Sequence, residues 1–261
     1  MTWKAATSAA VQLRQFYDTY WRPDPAGPFH QPGSGPVPRG VTMLLQRHLL
    51  PGARCVDVGC GDGRAGAFAT ERGSRYVGVD ISERAVAAAR ARGLDARRID
   101  GSDALPFAED SFDVALCLDV IEHVVFPDQT IREILRVLRP GGIAIVTTPN
   151  VAYWRRRLDL MVLGRWNPFG YGLAVEQPWA DPHLRFFNPG SLRRLLQFCG
   201  FAPVRLGAHS GTLLGDLPWI GRRLNAGRTS ALYALLEGAM PSLFGCVLNA
   251  VASKPAVSAA S

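Results

Sequence analysis

A glycine-rich loop, VDVGCGDG at residues 56–63, follows an apolar run that predicts a short strand. Glycine adopts backbone angles that other residues avoid, so such a loop can turn sharply and approach a ligand closely. GDGRAG at residues 61–66 also satisfies the dinucleotide pattern G-x-G-x-x-G, which by itself is weak evidence. The candidate cofactor-binding residues of the loop are Asp57, Gly59, Cys60, Gly61 and Gly63.

Acidic residues near the predicted strand ends help to choose between a dinucleotide and S-adenosylmethionine, the two ligands that such a loop serves. Asp57 lies inside the strand, where a carboxylate attracts an ammonium or a sulfonium but offers nothing to a pyrophosphate. Asp80 ends the next predicted strand and can accept hydrogen bonds from both ribose hydroxyls, while Ile81 can cover one adenine face. Asp57 therefore favours the methyl donor, whereas Asp80 and Ile81 indicate a nucleoside of either kind.

Five later segments narrow the family because they occur in one unbroken order. They are DGSDALPF at 100–107, SFDV at 111–114, DVIEHV at 119–124, LRPGG at 138–142 and TPN at 148–150. Together with the loop they resemble class I S-adenosylmethionine-dependent methyltransferases of the ubiquinone-biosynthesis-like type, also called methyltransferase type 11. The resemblance covers residues 50–150 and implies that Asp57 and the glycines surround the methionine moiety and that Asp80 holds the ribose.

The same resemblance implies three further donor contacts. Asp100, followed by Gly101, would lie near the adenine amino group, and Leu118 or Asp119 would face the methionyl ammonium. The segment after Asp100 is one residue longer than the commonest family spacing, so Asp103 is an alternative adenine contact. S-adenosylmethionine is the cofactor that these motifs imply.

Two histidines are candidate catalytic residues. Methyl transfer is an in-line displacement, so alignment and exclusion of water matter most, and a hydroxyl acceptor also benefits from a base. His123 follows the fourth predicted strand, and His183 lies in an insertion that should close over the acceptor. The alternative interpretation is that His123 packs in a helix and His183 caps a turn.

A divalent metal is a second hypothesis for the same residues. Asp119, Glu122 and His123 have a D-x-x-E-H spacing that places their side chains on one turn, and His183 could supply a fourth ligand. Some quinone-biosynthesis and small-RNA-end methyltransferases resemble this in using a metal to hold an acceptor hydroxylate. A Glu-His pair at this place also occurs in relatives without metal, so both hypotheses stay open.

Strands and helices alternate along residues 41–150, which predicts an α/β fold with a mostly parallel sheet. We expect a Rossmann-like, doubly wound sheet of seven strands with the last strand antiparallel, plus helical insertions. Ser82 should cap one helix, and the stripe of Ile131, Ile134, Leu135 and Leu138 predicts another that ends at residue 140. The predicted strands are residues 54–58, 75–80, 96–99, 114–118, 143–147, 203–206 and 246–252.

The predicted organisation has five parts. They are an N-terminal helix and Pro/Gly-rich arm at 1–40, the donor-binding core at 41–150, an aromatic lid at 151–189, a C-terminal completion of the sheet at 190–252 with a helical insertion at 210–244, and a flexible tail at 253–261. Aromatic residues in the lid would contact an apolar or sugar acceptor, or else form a small satellite core.

Composition restricts the partners. The net charge of +7 comes mainly from dispersed arginines, so a nucleic-acid surface is not favoured. The five cysteines lack a C-x-x-C pair, and no apolar signal segment opens the chain, so a reducing cytoplasm is expected. Apolar residues beside arginines at 217–224 could rest on a membrane that holds a lipid-linked substrate.

The predicted function is O-methylation of a small-molecule, lipid-linked or glycan acceptor. Residues 148–200 also resemble the MetW group and methyltransferases of polysaccharide clusters. The alternative function is therefore a MetW-like partner that activates an acyltransferase of methionine biosynthesis. An oxidoreductase is disfavoured because the later segments do not fit a dinucleotide enzyme.

Overall fold

A computed structural model describes residues 14–21, 37–101, 104–164, 182–209, 235–236 and 238–256. Helix α1 occupies residues 14–20 of this part. The later helices are α2 (Arg39–His48), α3 (Arg64–Glu71), α4 (Glu83–Ala91), α5 (Pro127–Val137), α6 (Trp154–Leu163), α7 (Pro189–Phe198) and α8 (Pro241–Phe244). The strands are β1 (Arg54–Val58), β2 (Arg75–Asp80), β3 (Ala96–Arg98), β4 (Phe112–Leu118), β5 (Leu138–Pro149), β6 (Val204–His209) and β7 (Val247–Ser253).

The strands form one seven-stranded sheet in the order β3-β2-β1-β4-β5-β7-β6. Strands β1 to β5 pair in parallel, and β7 is antiparallel to both of its neighbours, β5 and β6. This topology confirms the predicted Rossmann-like α/β fold. Because the chain returns from β3 at one edge to β4 beside β1, the strand order reverses there and opens a crevice at the carboxyl ends of these strands.

Helices cover both faces of the sheet, which explains why its central strands are almost continuously apolar. Alternate residues of a strand point to opposite faces. On one face, Val56, Ala115 and Val146 pack with buried residues of α5 and α7. On the other face, Leu116 and Ile145 pack with buried residues of α2 and α3. The central strands are thereby held rigidly under the crevice.

Most predicted elements near the crevice are confirmed. The first two predicted strands have the observed bounds, and Ser82 caps α4 by accepting a hydrogen bond from the Ala85 N–H at 3.3 Å. The predicted end of α5 is wrong. The helix ends at Val137, and Leu138 begins β5 instead, where it pairs with Phe112 and is fully buried. An apolar residue at position 138 fits both the apolar stripe of a helix and a buried strand. Pairing with β4 determines that Leu138 is in a strand.

Several predictions fall on residues that the structure does not describe. They concern residues 1–13 and 22–36 of the predicted N-terminal helix and arm, Asp103, residues 165–181 of the predicted lid, residues 210–234 and 237 of the predicted insertion, with its membrane-facing segment, and the predicted tail from residue 257. Within the described ranges, no helix combines the length and the apolar character needed to cross a bilayer.

The sheet core predicts a position-dependent cost of shortening leucine. Leu116 in β4 has no exposed surface, whereas Leu50 is 62% exposed. Leu116→Ala should lower the free energy of unfolding by about 3 kcal/mol, since it leaves a cavity in a packed layer. Leu50→Ala, the matched control, should change it by less than about 0.5 kcal/mol. Urea unfolding of both variants measures the difference, and equal losses would contradict the described core.

Candidate functional site

The glycine loop closes against the end of the neighbouring strand. Gly59 and Cys60 both donate backbone hydrogen bonds to the Val79 carbonyl, at 2.8 and 3.0 Å. Gly59 has a φ of 75°, and a Cβ built on it would lie 2.4 Å from Cγ2 of Val120. Both the backbone angle and the close approach therefore require glycine at this position. The loop and the segment after β4 form the two walls of the crevice.

A clamp holds the far end of the loop. Gly63, with a φ of 80°, precedes α3, and its N–H donates to the Cys60 carbonyl at 3.0 Å. Arg92 donates to the Asp62 carbonyl at 2.8 Å and to its carboxylate at 2.7 Å. The loop is thus tied to the end of α4, so its backbone is preorganised before any ligand binds.

Asp57 is buried beneath the loop. Its side chain accepts a hydrogen bond from the Tyr76 hydroxyl at 3.0 Å, and only 1% of the residue is exposed. Burial raises the pKa of Asp57 to about 7, against the lowering effect of the Tyr76 hydrogen bond, with the charge of Asp80 adding to the rise. A cationic group of a ligand would favour the ionised form of this carboxylate.

Asp80 is held by backbone amides at the end of β2. Its two oxygens accept hydrogen bonds from the N–H groups of Gly61 and Ser82, at 3.0 and 2.9 Å. Burial raises the pKa of Asp80 even though these bonds lower it. Ile81 follows, and its Cγ2 lies 3.6 Å from a Cβ built on Gly101. The structure therefore brings together three of the predicted nucleoside contacts.

The remaining predicted donor residues lie around this group. Asp100 is exposed and immediately precedes Gly101, which has a φ of 78°. Leu118 ends β4, which lies beside β1, and it pairs with Thr147 in β5. The predicted donor residues thus lie along the carboxyl ends of four adjacent strands, β3, β2, β1 and β4.

A second cluster lies directly after β4. Ligand atoms of Glu122, His123 and His183 lie within 4.8 Å of one another. Glu122 is 1% exposed, and neither carboxylate oxygen has a hydrogen-bond partner among the described residues. Burial raises the pKa of Glu122 well above its usual range, and the charge of Asp119 adds to the rise. This buried carboxylate can take a proton or face a cation.

A backbone strap brings His183 to the cluster. The N–H groups of Leu184 and Arg185 donate to the Glu122 carbonyl at 2.8 and 3.0 Å. Nδ1 of His123 lies 3.3 Å from the Pro182 carbonyl oxygen, and the two imidazole centroids are 4.3 Å apart. His123 belongs to a turn and not to a packed helix, so that interpretation was wrong.

Asp119 does not join the cluster. It has a φ of 55°, unusual for a residue with a side chain, and its carboxylate accepts a hydrogen bond from the Thr147 hydroxyl at 2.9 Å. The same hydroxyl accepts a bond from the Asp119 N–H at 3.0 Å. Of the four candidate metal ligands, the structure thus assembles Glu122, His123 and His183.

Sequence reasoning missed a contribution from α1. The ring centroid of Tyr17 lies 6.0 Å from that of His123, and Asp18 accepts a hydrogen bond from the Ser82 hydroxyl at 2.7 Å. A Cβ built on Gly61 would lie 2.7 Å from the Trp21 ring. The aromatic spacing of FYDTYW at residues 16–21 was the available signal, but nothing local shows what such a helix covers.

The chemistry of this crevice suits a cationic nucleoside. Asp57 and Asp80 are buried, and neither forms an ion pair with a lysine or arginine in the part of the chain described. Ribose hydroxyls would donate to Asp80, and an ammonium and a sulfonium would compensate the charge of Asp57, whereas a pyrophosphate would be repelled by Asp57. The residues therefore fit S-adenosylmethionine, and fold and site together define a class I methyltransferase.

Comparison with known proteins leads to the same class. Residues 56–146 match the family model described as a methyltransferase domain. A ubiquinone biosynthesis O-methyltransferase of Idiomarina loihiensis is 33% identical over 192 residues, which are 67% of this chain and 72% of that protein. The chain therefore belongs to the S-adenosylmethionine-dependent methyltransferases of class I.

Other matches agree but cover less or are more distant. A ubiquinone biosynthesis O-methyltransferase of Hahella chejuensis is 34% identical over 119 residues, which are 43% of this chain and only 50% of that relative. A solved structure from Thermotoga maritima, described as a possible histamine N-methyltransferase, superposes with a TM-score of 0.57 at 22% identity. The superposition spans 82% of this chain and 87% of the Thermotoga chain. At this identity the match supports the fold alone.

The raised pKa of Asp57 predicts a pH-dependent stability. Because the folded state holds the proton up to about pH 7 and the unfolded chain releases it near 4, stability without ligand should fall as pH rises between these values. Asp57→Asn should remove this contribution and should also weaken S-adenosylmethionine binding. Urea unfolding from pH 4 to 8 measures it, with Asp95→Asn as the exposed control. A variant that follows the wild-type pH profile would contradict the assignment.

Proposed function

We propose that this protein transfers the methyl group of S-adenosylmethionine to a hydroxyl oxygen of a small acceptor. The observation that carries this proposal is the buried Glu122 carboxylate beside two imidazoles, next to the donor crevice. A hydroxyl is a weak nucleophile, and a carboxylate or imidazole can take its proton. The Idiomarina and Hahella relatives are both ubiquinone biosynthesis O-methyltransferases, which supports oxygen as the atom methylated.

The donor roles follow from the order of residues along the crevice. Asp57 and the loop residues Gly59, Cys60, Gly61 and Gly63 would surround the methionine moiety, with Leu118 on the opposite side. Asp80 would accept hydrogen bonds from the ribose, and Ile81 would cover the adenine, with Asp100 and Gly101 at its edge. These residues follow the strand order β4, β1, β2 and β3, and with this arrangement the sulfonium would lie near the segment after β4.

The chain contributes alignment, exclusion of water and a proton acceptor. The strap at residues 182–185 is hydrogen-bonded to the Glu122 carbonyl, and we expect the acceptor hydroxyl to approach the buried Glu122 carboxylate beside it. As the acceptor oxygen bonds to the methyl carbon and the carbon–sulfur bond breaks, the hydroxyl proton passes to Glu122, His123 or His183. S-adenosylhomocysteine and a methyl ether are the products, and the proton balances the lost sulfonium charge.

Replacing the Glu122 carboxyl group should affect methyl transfer without affecting donor binding. Glu122→Gln should reduce methyl transfer about 100-fold or more, because it removes a buried proton acceptor, while S-adenosylhomocysteine binds as in the wild type. Glu71→Gln, at an exposed position, is the matched control. Both variants and the wild type are incubated with methyl-labelled donor and fractionated cell extract, followed by chromatography.

Unchanged transfer by the Glu122 variant would contradict the proposed proton acceptor. Label in no fraction with the wild type, while S-adenosylhomocysteine still binds, would contradict the transfer itself and favour the MetW-like alternative. The chemical nature of a labelled fraction tests the acceptor class, including the glycan and lipid-linked acceptors that remain predictions.

A divalent cation at the cluster is a second candidate for activating the acceptor. The supporting observation is that one buried carboxylate and two imidazoles converge within 4.8 Å. This mixed oxygen and nitrogen donor set suits zinc and similar metals better than magnesium, which prefers oxygen ligands. Such an ion would also neutralise the buried Glu122 charge. With an ion bound there, Glu122, His123 and His183 would orient it toward the acceptor oxygen.

Chelation distinguishes the two candidates. If an ion holds the acceptor, EDTA should lower turnover at least tenfold, and zinc or magnesium should restore it. His183→Ala should then weaken zinc binding in calorimetry, whereas His209→Ala, a partly buried histidine on β6, should not. Turnover that is constant in EDTA would eliminate the cation and leave direct proton transfer.

A further inference from the structure

Helix α1 lies across the carboxyl edge of the sheet and contacts both parts of the site. At its C-terminal end, the Trp21 ring packs on Gly61, where a Cβ would lie 2.7 Å from Cζ2 of the indole. One turn earlier, the Tyr17 ring reaches His123, with centroids 6.0 Å apart.

Asp18 is held in place on the nucleoside side of the crevice. Its Oδ1 accepts the Ser82 hydroxyl at 2.7 Å, and the Ser82 oxygen in turn accepts the Ala85 N–H at 3.3 Å. Ser82 also donates its N–H to Asp80 at 2.9 Å. One serine thus holds two carboxylates side by side at the start of α4.

Among the described residues, no lysine or arginine pairs with these neighbouring carboxylates. The charge of Asp18 adds to the rise that burial causes in the pKa of Asp80, and neither residue forms an ion pair with a lysine or arginine among the described residues. Like charges at close range cost free energy that a ligand with hydroxyl or cationic groups can offset. The pair therefore points to a ligand that donates hydrogen bonds to both carboxylates.

We propose that α1 forms a wall of the donor site, with Asp18 contacting the nucleoside and Trp21 contacting the amino-acid chain of the donor. Asp18 stands beside Asp80, where the ribose is expected, so its carboxylate accepts a hydrogen bond from the nucleoside. The Trp21 ring packs on Gly61, in the loop that would surround the methionine moiety. The inference rests on the proposed donor roles and does not depend on the acceptor or on the atom methylated.

Two ligands separate the two contacts. S-adenosylhomocysteine contains the nucleoside and the amino-acid chain, whereas 5′-methylthioadenosine keeps the nucleoside and thioether but lacks that chain. Asp18→Asn should weaken both ligands about tenfold, since it removes a charge-assisted hydrogen bond. Trp21→Ala should weaken S-adenosylhomocysteine about tenfold and leave 5′-methylthioadenosine within about twofold. Isothermal titration calorimetry of the full chain measures both affinities.

Thr19→Val is the matched control on the same helix. Thr19 is exposed, and its hydroxyl bonds to the Gln15 carbonyl at 2.9 Å within α1, so both affinities should remain within about twofold of wild type. Ligand-free thermal unfolding checks that all three variants keep the fold.

Wild-type affinity in both Asp18 and Trp21 variants would overturn the proposal. Equal losses of both ligands in both variants would also overturn the assigned contacts, because α1 would then act only as a cover. The outcome is independent of methyl transfer. A protein that shows the expected affinity pattern but labels no acceptor contradicts the proposed function and not this inference.

Discussion

The structure depends on the burial of carboxylates at the carboxyl ends of its parallel strands. Asp57, Asp80 and Glu122 are each at least nine-tenths buried, and none pairs with a lysine or arginine in the described part of the chain. An ionised carboxylate without such a partner is costly in a low-dielectric site. Tyr76 and the loop amides offset part of the cost, and a cationic ligand would offset more. Ligand binding and fold stability are therefore linked through the protonation of these groups.

The order of the strands in the sheet divides the site into two parts. Most residues proposed to hold the donor lie at the ends of β1, β2 and β3, whereas the Glu122 cluster follows β4, and β1 lies between β2 and β4 in the sheet. Segments far apart in sequence then complete each part. The strap at 182–185 fixes His183 through the Glu122 carbonyl, and α1 fixes Asp18 through Ser82. Each segment is attached through a single group: the Glu122 carbonyl for the strap and the Ser82 hydroxyl for α1.

Local physics made much of the fold and donor crevice predictable. β1 and β2 are buried on both faces, and Ser82 caps α4 by a hydrogen bond to a residue three positions later. The sequence pattern that predicts each of these elements therefore lies within a few residues. Leu138 was assigned to a helix because hydrophobic spacing does not report sheet pairing. The D-x-x-E-H spacing grouped Asp119 with Glu122, but Thr147, distant in sequence, holds the Asp119 carboxylate elsewhere. The position of α1 depends entirely on tertiary contacts.

Calorimetric titration of the wild-type chain with S-adenosylmethionine, S-adenosylhomocysteine and NAD⁺ tests most directly whether the buried carboxylates select a cationic nucleoside. Both adenosyl ligands should bind at one site. Below pH 7, binding of S-adenosylmethionine should release a proton from Asp57, detectable as a dependence of the heat on the buffer's ionisation enthalpy. NAD⁺ should not bind, since its pyrophosphate would lie in the loop above the buried Asp57 carboxylate. Binding of NAD⁺ without either adenosyl ligand would contradict a methyl-donor site.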